Sequence, residues 1–384
     1  MPEFTHAVVV AGIPSSNLTL FHRIRFGAGD PAASIDLVRA DGSAHRILLI
    51  RDIEMDRARR DARADRVACP AEFAPEGWDR GDRELETAQS VAECLVRHGV
   101  RRVVVDRTLP AIYWDRIAKR GIAIECDPAL GIMERRAKDE GELDALRSAQ
   151  MLTEQCMAMV CERIASAEAR ADGVLMDGGE PLTSERLFTV IDLWLMERGA
   201  SSPHGAIVAG GPQGADPHNR GSGELRTGQP VIIDIFPRVK ATGYHGDCTR
   251  CVVHGDIPDE VARMHAAVVR AQKAAIDATR AGRSAGAVHD HAIGVITDAG
   301  YGVGIDSGHD CAMLHGTGHG IGLDVHEPPL LDTGGPDLVA GDVVTIEPGL
   351  YAEGLGGIRI EDMVAVTDDG CENFNTLQTG LTWA

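Results

Sequence analysis

Apolar positions recur along this chain with two periods, and the change from one to the other marks its organisation. In the first third, Ser34 to Val38 and Arg46 to Ile50 carry apolar runs on either side of Ala40-Asp41-Gly42-Ser43, a turn signal that predicts paired strands. A charged helical stretch is expected from Ile53 to about Ala64, another helix from Ala88 to Val96, and a buried strand from Arg101 to Asp106, entered from Gly99. These elements predict a small α/β unit over residues 1–132. It gathers no set of ligands or nucleophiles, so it is expected to shape access or assembly.

From Lys138 the pattern becomes helical, with Glu142, Leu146, Ala149 and Val160 on a three-and-four spacing, and a second domain is read over residues 138–384. Thr183 or Ser184 can cap the next helix, in which Leu187, Val190, Ile191, Trp194 and Leu195 form one stripe ending at Gly199. A similar pair follows. Pro258 opens a helix through Val261, Met264 and Val268, and Ser284 opens one through Val295 to Gly300. Two helix pairs, each followed by strands, suggest an internally duplicated α+β domain.

Composition narrows the reading. The 384 residues suffice for two sizeable cores, and an apolar fraction of 44% suits a globular protein. Against 58 acidic residues stand 38 Lys and Arg, a net charge of −20 that excludes nonspecific nucleic-acid or anionic-membrane binding, since both need a cationic face. Nine cysteines without a framework spacing fit a reducing cytoplasm. The apolar run Ala7 to Ile13 is too short for a membrane span, and no export signal precedes it.

The chemistry is expected around Leu314 to Pro328, which places His315, His319 and His326 within twelve residues on a glycine-rich backbone. Each interior glycine would cost a helix roughly 1 kcal/mol relative to alanine. The stretch therefore reads as strand and tight turn, with the imidazoles turned to one cavity. Val231 to Phe236 is an apolar strand with a single carboxylate, Asp234, which needs a cation or strong donors if buried. Tyr244 to Val253 returns as a strand carrying Asp247, and a hairpin would let the two acids converge. Asp247 and Arg250 fall on opposite faces of that strand. The arrangement recurs in Asp342 to Gly349, with Glu347, and in Gly356 to Val364, with Arg359 and Glu361 on one face. Cys248 and Cys251 form a C-x-x-C pair whose sulfurs face opposite sides of a strand, which argues against a redox or zinc role. Four carboxylates carry −4, which two divalent cations neutralise, and His319 completes an oxygen-rich set. Such a set suits Mn²⁺, Co²⁺, Fe²⁺ or Zn²⁺ over a soft-metal centre.

The order Asp, Asp, His, Glu, Glu within Ile233-Asp234-Ile235, Gly246-Asp247-Cys248-Thr249-Arg250, His315 to Gly322, Ile346-Glu347-Pro348-Gly349 and Arg359-Ile360-Glu361-Asp362 resembles the M24 metallopeptidases. That superfamily comprises methionine aminopeptidase, Xaa-Pro aminopeptidase, prolidase and creatinase. The match covers about residues 138–370. It implies an α+β catalytic domain of the pita-bread type, with the smaller N-terminal α/β domain pointing to the proline-directed branch. It further implies Asp234, Asp247, His319, Glu347 and Glu361 as ligands of two divalent ions, Mn²⁺ foremost, with Glu347 also shuttling the proton. Pro212 to His218 is similar to the family's loop bearing a substrate-binding histidine, so His218 takes that role, and His204 is read as a loop residue outside the pattern. His326 matches a histidine that contacts substrate and the developing oxyanion, and His315 and Arg359 match positions that orient substrate. Two departures stand out. Two extra residues separate Asp234 from Asp247, and Asn219 replaces the aromatic usual after the substrate histidine.

The resemblance thus implies an Xaa-Pro aminopeptidase or dipeptidase acting on small peptides, cytoplasmic and homodimeric, with neither nucleic acid nor membrane as partner. The alternatives are a creatinase-like hydrolase of a non-peptide C–N bond, which the intact ligand set opposes, and a catalytically inactive binding protein of the same fold.

Overall fold

The computed structural model describes residues 3–383, which fall into two compact units, one ending at Arg135 and the other beginning at Arg136. In the first unit, strands β1 (His6–Gly12), β2 (Ala32–Val38), β3 (Ala44–Leu49), β4 (Arg66–Ala68), β5 (Arg102–Val105) and β6 (Ala123–Cys126) form one sheet in the order β4-β3-β2-β1-β5-β6. The turn at Asp41-Gly42 sets β2 against β3 with Val38 opposite Ala44, as the sequence predicted. The apolar run from Ala7 is the central strand β1, antiparallel to β2 and parallel to β5. Helix α1 spans Arg83–Arg97, starting five residues before the expected Ala88, because the Asp82 side chain accepts from the backbone N–H groups of Glu84 and Leu85. The charged helix is shorter than expected, Met55–Asp61 behind a 3₁₀ turn at Asp52–Glu54. Its face buries Ala58 alone, too little apolar surface to extend it.

In the second unit the long helix α2 (Glu140–Ala165) begins in a capping box: Asp139 accepts from the Glu142 N–H, and Glu142 reaches back to the Asp139 N–H. Helix α3 (Ser184–Glu197) is capped by Thr183. Both pack on strands β7 (Ala206–Gly210), β8 (Pro230–Ile235) and β9 (Cys248–Val253), which form an antiparallel sheet in that order. Helices α4 (Asp259–Ala278), which follows Pro258, and α5 (Ala285–Asp298), capped by Ser284, pack on a second core. The expected pair of helix-and-strand halves is therefore present in the architecture.

Two further sheets complete this unit. One orders β11 (Glu327–Leu331), β10 (Gly318–Gly320), β12 (Val343–Ile346) and β15 (Asp362–Val366), ending in the short strand Cys371–Asn373. The other pairs β13 (Gly349–Ala352) with β14 (Gly356–Arg359), beside Cys311–Met313 and Gly302–Val303. The sequence reading placed Glu347 and Glu361 inside continuous strands of one hairpin. Both instead sit where the chain changes sheets, Glu347 between β12 and β13 and Glu361 between β14 and β15. Pro348 has no N–H to give to a ladder, so the first sheet ends there.

The alternation of β8 explains how a carboxylate comes to lie in an apolar strand. Val231, Ile233 and Ile235 face the core under α2 and α3. Ile232 faces the core under α4 and α5, and Asp234 shares that face at the open end of the strand. Cys248 and Cys251 divide between the same two cores, so their sulfurs point apart as expected. Among the described residues no helix is long and apolar enough to cross a membrane.

Helix α2 is pressed directly onto the chain just ahead of β9. A Cβ at Gly246 would lie 2.7 Å from the Ala149 carbonyl oxygen and against Thr153 Oγ1. Gly246→Ala is therefore expected to destabilise the unit by about 1–3 kcal/mol through overpacking, read as a lower urea midpoint, whereas Gly370→Ala, where an added Cβ meets nothing within 4 Å and φ is not in the left-handed region, is a control for the alanine itself.

Candidate metal centre

The three sheets bring Asp234, Asp247, His319, Glu347 and Glu361 to one cavity of about 700 Å³, whose wall also includes His204, His218, His315, His326 and Arg359. That volume lies in the range of small-molecule sites. Asp234 opposes Thr249 in the β8–β9 ladder, and Asp247 lies one residue before that pairing begins. The predicted convergence of the two acids thus follows from strand register. One ligand atom from each of Asp247, His319 and Glu361 lies within 4.8 Å of the other two. His319 Nε2 is 3.3 Å from Glu347 Oε1 and 3.8 Å from Asp247 Oδ2.

Each acid is fixed by neighbours on the elements behind it. The Gln150 amide of α2 brackets the Asp247 backbone: Gln150 Nε2 donates to the Asp247 carbonyl at 2.6 Å, and the Asp247 N–H donates to Gln150 Oε1 at 2.8 Å. Thr249 Oγ1 donates to Glu361 Oε2 at 2.7 Å, and Thr345 Oγ1 donates to Glu347 Oε1 at 3.3 Å. Arg250, fully buried, pairs with Asp362 at 2.8 Å and donates to the Glu361 carbonyl at 2.6 Å. Its guanidinium is therefore engaged on the face opposite Asp247, as strand parity required.

The electrostatics of this cluster are unfavourable for the protein by itself. Burial, then the charges of Glu361, Asp234 and Glu347, push the Asp247 carboxyl well above the usual range. Burial with Glu347 and Asp234 does the same to Glu361, and burial raises Glu347 against the pull of Arg359. Asp234 Oδ2 accepts from Arg359 Nη2 at 2.8 Å, while its buried Oδ1 has no hydrogen-bond partner. His319 is held neutral, its pKa pushed down to about 3 by burial and by His326. Nδ1–H of His319 is within 3.1 Å of the Gly320 carbonyl, which leaves the lone pair of Nε2 facing carboxylate oxygens. Acceptors that confront one another in a buried site call for cations between them. The oxygen-rich donor set with one imidazole fits hard or borderline divalent ions.

The histidines divide into two groups. His326 meets His319 edge-on, with ring centroids 4.3 Å apart, so the glycine-rich turn does bring imidazoles seven residues apart together. His218 is exposed on the cavity wall, its backbone N–H held by Asp216 Oδ1 at 2.9 Å. His315 is tied down at both nitrogens: Nδ1 donates to the Gly316 carbonyl at 2.7 Å, and Nε2 accepts from the Tyr351 hydroxyl at 2.6 Å. Arg359 Nη1 donates to the same Tyr351 oxygen at 2.9 Å. Arg359 thus braces Asp234 and, through Tyr351, His315. His204, set aside in the sequence reading, lines the cavity and stacks on His245 at 6.4 Å. Tyr351 and Gln150 carried no sequence signal, since neither lies in a ligand motif and each reaches the site through tertiary packing; Thr249 lies within the Asp247 motif, two residues on, and its partner Glu361 is set by the fold.

A family model described as metallopeptidase family M24 matches residues 144–368. A probable dipeptidase, PepE, of Mycobacterium tuberculosis is 38% identical over 243 residues, 63% of this chain and 59% of that protein. An Xaa-Pro dipeptidase of Lactobacillus delbrueckii subsp. lactis is 36% identical over 171 residues, 44% of each chain. The matches thus span well under two thirds of these curated relatives. The solved structure of dipeptidase PepE from Mycobacterium ulcerans superposes with a TM-score of 0.75 at 28% identity, covering 98% of this chain and 93% of that one. The architecture is that of the pita-bread metallopeptidases.

Tyr351→Phe would leave His315 Nε2 and Arg359 Nη1 each short of a buried partner. The expected loss is about 1–3 kcal/mol of stability, measurable by urea denaturation of the metal-free protein.

Proposed function

This chain belongs to metallopeptidase family M24, and from that premise we propose that it is a dinuclear metal-dependent exopeptidase that hydrolyses the bond between an N-terminal residue and proline. The observation that carries this reading is the buried cluster of four carboxylates around the neutral His319, with Asp234 Oδ1 unpartnered and Nε2 of His319 turned to oxygen. Asp234, Asp247, His319, Glu347 and Glu361 would hold the two ions. When bound, such a pair supplies a Lewis acid for the scissile carbonyl and lowers the pKa of a water molecule.

The protein's own groups do the rest. The Glu347 carboxylate, which lines the cavity with Oε1 3.3 Å from His319 Nε2, takes the proton of the attacking water and passes it to the departing prolyl nitrogen. His326 and His218 face the cavity from opposite segments and stabilise negative charge that develops on the carbonyl oxygen. His315, fixed between Gly316 and Tyr351, orients substrate at the wall, and Arg359 holds the Asp234 carboxylate in place.

The names of the relatives favour dipeptides over longer chains as substrates. Mn²⁺ is the first candidate among Mn²⁺, Co²⁺, Zn²⁺ and Fe²⁺, because the set is four oxygens' side chains to one nitrogen. The family resemblance extends to a homodimer. A cytoplasmic setting is supported by nine cysteines that are all free thiols.

Metal analysis with a chain-length series of Xaa-Pro peptides tests the proposal. Two ions per chain are expected, with cleavage abolished by chelation and restored by Mn²⁺; full activity in the metal-free protein would refute it. Asp247→Ala and Glu361→Ala should lose both ions and activity together. Glu347→Gln is expected to lower kcat by about 10²-fold or more while a substrate dipeptide still binds, as measured by calorimetry.

A further inference from the structure

The segment that leads into α2 carries a buried ion pair that the chemistry above does not use. Lys138 Nζ donates to Glu327 Oε1 at 2.8 Å, with side-chain exposures of 1% and 5%. Glu327 follows His326 in the chain and opposes Gly320 across the β10–β11 ladder. Its carboxylate lies against Gly322, where a Cβ would come within 2.5 Å of Oε1. The turn from Ile321 to His326 is therefore folded over the Glu327 carboxylate, and the Lys138 ammonium neutralises that carboxylate from the side of α2.

Two neighbouring pairs show that this lead-in is a clasp. Arg136 makes a bidentate pair with Asp342, 2.9 and 2.6 Å, immediately before β12 and five residues before Glu347. Glu142 accepts from the Tyr244 hydroxyl, three residues before Asp247. Residues 136, 138 and 142 thus each hold one of the segments that bring in Glu347, His326 and Asp247.

We propose that Lys138 is a positioning residue, which acts through Glu327 to set the imidazole of His326 over the metal centre; the proposal rests on the role given to His326 above. A buried pair of this kind adds little net stability compared with apolar side chains of similar volume, because desolvation offsets the attraction. What it supplies is direction: an ammonium and a carboxylate at 2.8 Å admit a narrow range of geometries. Apolar packing at the same place would leave the turn free to settle in several.

The double variant Lys138→Met/Glu327→Met separates the two effects, since it removes both charges and leaves neither unpaired. Expected are a Tm close to the parent, both ions retained, and kcat on Met-Pro at least about tenfold lower with little change in KM. Parental kcat in the folded double variant, or a loss of kcat matched by loss of metal, would overturn the proposal. A second measurement does not depend on catalysis. In metal-free protein with ¹³C-labelled histidine, the His326 ring signal should shift or broaden in the double variant while that of His218 stays; an unchanged His326 signal would also overturn it. Should the parent cleave no Xaa-Pro peptide, the function proposed above fails, and the His326 signal alone decides the positioning role.

Discussion

Repulsion among four carboxylates drawn into one buried space governs the second unit of this protein. Each of the four would be inexpensive at the surface. Together, burial and their mutual charge raise the proton affinity of Asp247, Glu347 and Glu361, and only one guanidinium, that of Arg359, is directed at the cluster among the described residues. The fold has to supply enough packing and hydrogen bonding to hold such a cluster in place. A pair of divalent ions, if bound as proposed, would convert the same repulsion into affinity.

The scaffold meets this requirement by placing the acids at strand ends and sheet changes. Asp234 and Asp247 sit at the open end of the β8–β9 ladder, and Glu347 and Glu361 at the two points where the chain passes between sheets. At such points the backbone is not fully committed to a ladder, and side chains from different sheets can meet. The hydroxyls of Thr249 and Thr345 then fix the carboxylates from the ladders just behind them. The cores on either side are apolar and continuous, so the polar cluster is confined to their boundary.

The surrounding polar groups form a graded support. Gln150 holds a backbone, Tyr351 joins a histidine to an arginine, and the lead-in to α2 fastens the turn that carries His326. None of these groups lines the cavity, as His218 and His326 do. Their effect is on where the cavity-lining side chains stand, which would matter for the proposed reaction because electrostatic stabilisation of a transition state depends on donors fixed beforehand.

The sequence by itself determined the elements and the identity of the cluster. Local pattern found the turn at Asp41-Gly42, the caps at Thr183 and Ser284, and the face of β8 that Asp234 shares with Ile232, because each depends on residues close along the chain. Five acids and imidazoles in apolar or glycine-rich company were legible for the same reason: a charge in such surroundings needs a partner, and the need is visible locally. Tertiary structure alone decided that Glu347 and Glu361 lie at sheet changes rather than within one hairpin, that His204 lines the cavity, and that Tyr351, Gln150 and Lys138 reach the site. Those contacts join residues up to 189 positions apart, as Lys138 and Glu327 are. Pairings at that separation are set by how whole sheets and helices pack, and no local spacing encodes them.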